Sequence, residues 1–182
     1  MKYLLSGTAA VLALSATAVL ANDSVKEATA NPAQWAIQTG DYANTRYSEL
    51  DQINRDNVGD LRVAWTFSTG VIEGHEAPPI VNNGVMFVAT PMGQVIALNA
   101  KTGEEYWKVE NGDIAVGQTL TQAPYVIKDL AIVGSSGAEL GVRGHVTAYN
   151  VKTGEQVWRV YATGPDSDIG LQEDFNNANP HY

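Results

Sequence analysis

The 182-residue sequence contains no cysteine, so neither disulfides nor thiolate metal sites can hold it together, and stability has to come from a packed core. Positive charge is scarce, with 11 Lys and Arg against 20 Asp and Glu and a net charge of −9. Such a balance offers no electrostatic case for binding nucleic acid or an anionic lipid surface. Only three histidines occur, His75, His145 and His181, and neither His145 nor His181 has a partner at metal-ligand spacing. A Ser-His-Asp signature, a P-loop and a dinucleotide fingerprint are all missing. The one long apolar run lies at residues 3–20, behind Met1-Lys2 and ahead of the small-residue close Val19-Leu20-Ala21. This pattern predicts a secretory signal peptide over residues 1–21, cut after Ala21. Ser6, Gly7, Thr8, Ser15 and Thr17 dilute the run and no stop-transfer pattern follows, which argues against a membrane anchor. Cleavage would leave 161 residues, 22–182, with 10 basic and 20 acidic side chains. At 45% hydrophobic composition this is enough for one exported domain with no membrane insertion.

What is present is a repeat. VTAYNVKTGEQVW (146–158) stands 51 residues after VIALNAKTGEEYW (95–107), with Val, Ala, Asn, Lys-Thr-Gly-Glu and Trp at matched offsets. Each copy reads as a strand, a turn and the start of the next strand. Val95 and Ala97, like Val146 and Ala148, alternate as in a half-buried strand. Asn99 and Asn150 open a turn that Gly103 and Gly154 can close with positive φ. The Trp then presents a flat face for packing between sheets. A strand-turn-strand unit repeating at about 40–50 residues predicts an all-β protein, a β-propeller with one blade per repeat.

Other stretches fit that plan. Residues 22–32 form a polar, Ala-rich lead-in, flexible or weakly helical. A short connecting turn is predicted around 51–58, and the alternation of Val63, Trp65 and Phe67 predicts a strand over 61–70. Asn82-Asn83-Gly84 reads as a hairpin turn before a strand at 85–90, and Pro91-Met92-Gly93 as a turn into the first repeat. Strands are expected at 119–123, 125–127 and 130–134, with a turn at Lys128-Asp129.

One segment departs from plain blade chemistry. GSSGAELGVRG (134–144) sets four glycines, two serines, Glu139 and Arg143 between apolar strands. Glycines let a backbone approach a ligand and expose its N–H groups, and Glu139 offers a hard oxygen ligand. Residue types alone also describe an ordinary long hairpin loop with a solvated Glu139–Arg143 pair, because surface ion pairs are common and weak. Composition leaves both readings open. His75-Glu76, before the Pro78-Pro79 pair, is a second candidate that by itself reads as a solvated loop.

TLTQAP (119–124), GSSGAELGVRG (134–144) and TAYNVKTGEQVW (147–158) together resemble the pyrroloquinoline-quinone (PQQ) alcohol dehydrogenases. The continuation YATGPD (161–166) and DFN to NPHY (174–182) is similar to methanol dehydrogenase large subunits and their lanthanide-dependent relatives. WTFSTGV (65–71) with Gly74, His75 and Glu76 looks like the first blade of that family. The resemblance implies an eight-bladed propeller, of which two to three blades lie here, around a funnel holding PQQ and a calcium or lanthanide ion. It implies a periplasmic enzyme that oxidises a small primary alcohol and passes electrons to a c-type cytochrome, with a second copy or a small subunit as a further partner.

Carried over residue by residue, Glu139 matches the carboxylate that ligates the metal. Ser136, Gly137 and Ala138 match the loop that meets the cofactor's carboxylates, Thr121 a cofactor-contacting threonine, and Glu76 a glutamate at the quinone edge. The departures are equally specific. The family's adjacent cysteines and nearby arginine are absent, and about one blade's worth of sequence is skipped between Glu76 and the first repeat. The family's catalytic Asp and its remaining Asn and Asp metal ligands fall beyond Tyr182, so the resemblance assigns no catalytic residue here. It implies that the chain alone is catalytically silent. The alternative is a non-catalytic PQQ-repeat propeller serving as a binding or assembly scaffold, which would need the Trp repeats but not the Ser136–Glu139 loop.

Overall fold

The computed structural model describes residues 23–169; the expected signal peptide and the 174–182 motif lie outside them. Among these residues, eight strands form two four-stranded antiparallel sheets of meander order. The first contains β1 (Ile80–Asn82), β2 (Val85–Ala89), β3 (Gln94–Asn99) and β4 (Glu105–Glu110). The second contains β5 (Tyr125–Ile127), β6 (Leu130–Gly134), β7 (His145–Asn150) and β8 (Gln156–Tyr161). Two short α-helices among the described residues, α1 (Asp23–Ala30) and α2 (Asp166–Ile169), flank them. The lead-in is therefore helical, and Val25 of α1 is buried. The all-β propeller reading holds, with two complete blades among the described residues.

The repeat is structural down to its hydrogen bonds. The Asn99 side-chain oxygen accepts from the N–H groups of Lys101 and Thr102 (2.9 and 3.1 Å), and Asn150 does the same with Lys152 and Thr153 (2.9 and 3.2 Å). Gly103 and Gly154 then take φ of 75° and 72°, a conformation that costs glycine nothing. Both hairpins shift register at the same place. Ala97 pairs Trp107 but Leu98 pairs Glu105, and Ala148 pairs Trp158 but Tyr149 pairs Gln156. Tyr106 and Val157 are the extra residues of these bulges and both point to solvent.

The sheets join through Trp107. Its indole N–H donates to the Val151 carbonyl at 2.9 Å. Its ring lies over Gly154, where a Cβ would meet it at 2.8 Å. Phe87 and Tyr149 flank it at centroid separations of 5.9 and 6.4 Å. Around this ring gather Ile80, Val95, Leu120, Val126 and Val133, all buried in one cluster. Trp65 stands in the same relation to Gly103, one blade earlier.

Three expectations are corrected. Residues 61–70 form no regular element; Trp65 and Phe67 are half-buried while Val63 is exposed, and the segment joins no sheet among the described residues. Alternation records one-sided burial; a strand also needs a hydrogen-bonding neighbour. At 119–123 only an isolated bridge forms, Thr119 to Ser136. Finally, β3 is buried on both faces, Ile96 and Leu98 as well as Val95 and Ala97, where the alternation had implied one buried face.

Candidate functional site

Antiparallel order decides which loops share an end. β1, β3, β5 and β7 start at one end of the two-sheet stack, and β2, β4, β6 and β8 finish there. Asn111, just past β4, accepts a hydrogen bond from His145 at the start of β7, so both sheets present the same end together. Glu76 (ahead of β1), Thr121 (ahead of β5) and the loop between β6 and β7 with Ser136, Gly137, Ala138 and Glu139 are therefore all placed at that end. The Lys-Thr-Gly turns lie at the other.

The loop is gripped where it leaves β6. Thr119 and Ser136 exchange backbone hydrogen bonds (2.9 and 3.3 Å). The Ser136 hydroxyl donates to the Thr119 carbonyl (3.0 Å) and lies 2.8 Å from the Thr119 hydroxyl. Gly137 is buried at φ 125°, and a Cβ on it would sit 2.4 Å from the Gly117 carbonyl oxygen. Only glycine satisfies both the angle and the gap. Ala138–Leu140 then makes one 3-10 turn, closed by Gly141 at φ 77°. Leu140 packs on Gly117, so the turn rests on the connection between the two sheets.

Ala138 and Glu139 project to solvent at the crown of this loop. Arg143 does not pair with Glu139. It binds Asp168 at 3.1 Å, donates to the Thr163 carbonyl and lies over the Tyr161 ring at 4.3 Å. The solvated Glu139–Arg143 pair, one of the two readings that composition left open, does not form, because Arg143 leaves the loop on the side facing the segment after β8. Among the described residues, no hydrogen bond or ion pair engages the Glu139 carboxylate, and the N–H groups of Gly137, Ala138 and Glu139 are likewise uncommitted. A free hard-oxygen donor beside free backbone donors suits a polyanionic, cation-bound group. No group of three or more candidate metal-ligating side chains occurs among the described residues, so Glu139 would be a lone ligand from this part of the fold.

Thr121 and Glu76 are both exposed. Glu76 is held at the end of the first sheet by its neighbour Ala77, which is buried in the core, whereas His75 turns back onto Glu73 and Thr69. Sequence reasoning missed the supports of this site. Gly117 gave no signal, and His145, set aside as a metal ligand, is buried behind the loop with Ser135 and Asn111. Burial and the nearby Arg159 charge hold the His145 imidazole below its ordinary pKa.

Comparison with known proteins agrees with this architecture. The family described as "Glucose/ethanol/alcohol dehydrogenase, beta-propeller domain", of the PQQ type, matches residues 35–121. Methanol dehydrogenase subunit 1 of Methylorubrum extorquens is 43% identical over 95% of this chain and 38% of its own length. The lanthanide-dependent methanol dehydrogenase of Methylacidiphilum fumariolicum is 37% identical over all of this chain and 39% of its own length. Among solved structures, a europium-containing methanol dehydrogenase superposes with a TM-score of 0.61 at 38% identity, over 84% of this chain and 36% of that one. The chain thus spans well under half the length of these relatives. The alignments run over 236 and 240 positions for a chain of 182 residues, so the relatives carry additional residues inside the matched range. This agrees with an internally shortened sequence. No helix among the described residues is long and apolar enough to cross a membrane. Repeat, blade geometry and sequence identity together place the chain in the PQQ β-propeller family of alcohol dehydrogenases.

Proposed function

We propose that this chain supplies the first blades, and one wall of the cofactor funnel, of a PQQ-dependent enzyme that oxidises small primary alcohols. The observation that carries the reading is the β6–β7 loop. Its uncommitted Glu139 carboxylate and backbone donors are held on a glycine-only contact at the end shared with Glu76 and Thr121. In this reading Glu139 ligates a calcium or lanthanide ion. The loop at Ser136, Gly137 and Ala138, with Thr121, receives the cofactor's carboxylates, and Glu76 borders the quinone. Bound PQQ with its cation would supply the electrophilic carbonyl that accepts the alcohol's electrons.

The Ser136 hydroxyl already gives its proton to Thr119, so its contribution is to brace the loop, and the cofactor's anionic groups fall to the backbone N–H donors. The signal peptide over residues 1–21 would send the protein to the periplasm, where a c-type cytochrome accepts the electrons, and a small subunit or a second copy completes the assembly. No described residue is assigned the catalytic Asp or the remaining metal ligands, so the roles proposed for these residues are binding roles. A bare scaffold would have no use for the close packing of Gly137 on Gly117 or for the free carboxylate at its crown.

The test is a titration of the purified chain with PQQ in the presence of calcium or lanthanum, followed by quinone absorbance, with Glu139→Ala in parallel. Metal-dependent binding at micromolar concentration, weakened at least tenfold by the substitution, is expected. A folded chain that binds no PQQ, or binds it equally well without Glu139, would contradict the reading.

A further inference from the structure

The two serines at the root of the loop face opposite ways. Ser136 grips the connection between the sheets through Thr119. Ser135 instead meets His145 on the neighbouring strand: its hydroxyl lies 3.1 Å from Nδ1 and also accepts the His145 backbone N–H at 3.1 Å. On the far side of the ring, Nε2 lies 2.7 Å from the carbonyl of Asn111. A carbonyl can only accept, so Nε2 must carry the proton. In the neutral ring Nδ1 is then an acceptor, and the Ser135 hydroxyl must donate to it. Every polar atom on this path has one role, and the path runs from the end of the first sheet to the root of the loop.

The surroundings keep the imidazole in that form. His145 is buried. From β8, Tyr161 packs edge-on at 5.6 Å, and Arg159 donates to Thr147 at 2.8 Å with its other nitrogen 3.4 Å from Asn111 and Tyr149. From β7, Tyr149 donates to the Asn111 side chain at 2.9 Å. Among the described residues, the charged group facing the ring is thus the Arg159 cation, and no carboxylate hydrogen-bonds the ring to compensate a second proton. Burial and this cation both favour the neutral ring.

We infer that His145 is a positioning residue for the cofactor loop. Fixed as its Nε2–H tautomer between Asn111 and Ser135, it sets where the Ser136–Glu139 segment leaves the second sheet relative to the first, and so where the Glu139 carboxylate is presented. The inference rests on the proposed function for its purpose, but not for its geometry. Partners of this kind typically change ligand affinity by about 10- to 100-fold when removed.

The experiment uses the full chain and two separate readouts. Imidazole ¹⁵N spectra should show a protonated Nε2 and an acceptor Nδ1 at neutral pH. Amide exchange at Ser136, Leu140 and Val142 should accelerate about tenfold or more in Ser135→Ala and in His145→Phe. Exchange at Ile132 and Ala148 should stay unchanged, and His145→Gln, which can still donate to Asn111, should restore part of the protection. If His145→Phe fails to fold, Ser135→Ala carries the same test. Unchanged loop exchange in the folded variants, or an Nδ1–H tautomer, overturns the inference. PQQ and lanthanum titration of the same variants should show affinity falling about tenfold in Ser135→Ala with partial recovery in His145→Gln. If the wild-type chain binds no PQQ while loop exchange responds as stated, the proposed function fails and the positioning role stands.

Discussion

The two sheets are near copies, yet matched positions have different fates. Val95 is fully buried and its repeat partner Val146 is 39% exposed; Trp107 is 8% exposed and Trp158 is 36%. Sequence at these positions is the same, and so are the turn, the bulge and the pairing. What differs is the neighbour: the first sheet has the second against its Trp face, and the second has no sheet against its own among the described residues. Burial in a repeat fold is thus a property of the stack rather than of the repeat. The sheets also differ at their shared end. Pro91-Met92-Gly93 joins β2 to β3 in a tight turn, while the corresponding β6–β7 connection is the long glycine loop carrying Glu139. Structure repeats, and the proposed site lies where the repeat is broken.

That comparison can be broken most forcefully at the tryptophans. Trp107→Ala should cost about 3–5 kcal/mol in denaturant unfolding, the range for a buried aromatic, and Trp158→Ala under about 1.5 kcal/mol. Equal losses would mean that Trp158 is covered after all. Next, Gly154→Ala places a methyl against the Trp107 ring at positive φ and should destabilise by about 2 kcal/mol, read as a lowered melting temperature. Gly84→Ala, also at positive φ but with open space around it, should cost visibly less. At the turns, where the two copies are alike, Asn99→Ala and Asn150→Ala should each cost about 1 kcal/mol through their lost side-chain hydrogen bonds. A large difference between them would show that the turns too feel the stack.

The smallest effect is on pH dependence. The folded state holds His145 below its ordinary pKa, so the unfolded chain binds more protons in the window beneath about 6.5. Stability should therefore be fully present above that value and fall as the pH is lowered towards the folded-state pKa. The slope should diminish in His145→Gln, as followed by thermal unfolding between pH 7.5 and 5.

Much of this was legible beforehand. The Asn and Gly of each Lys-Thr-Gly turn announced the hairpins, because side-chain caps and positive φ are local requirements. The glycine loop with Glu139 stood out because its composition has no place in a blade. The strand expected at 61–70 did not form as a ladder: the alternation matches the partial burial of Trp65 and Phe67 but not the exposure of Val63, and it cannot report a pairing partner. Nor could residue types foretell that Arg143 would choose Asp168 over Glu139, 25 residues away against four. The Asn111–His145–Ser135 path was illegible for the same reason: its members are 34 and 10 residues apart and meet only once the sheets are stacked.

The most direct test of the account is amide exchange across the whole chain, with and without PQQ and lanthanum. Protection is predicted at the end bearing Glu76, residues 119–122 and residues 135–142, with no change in the Lys-Thr-Gly turns at 99–104 and 150–155. Protection at those turns, or no change anywhere in a folded chain, would contradict a cofactor wall built by the β6–β7 loop.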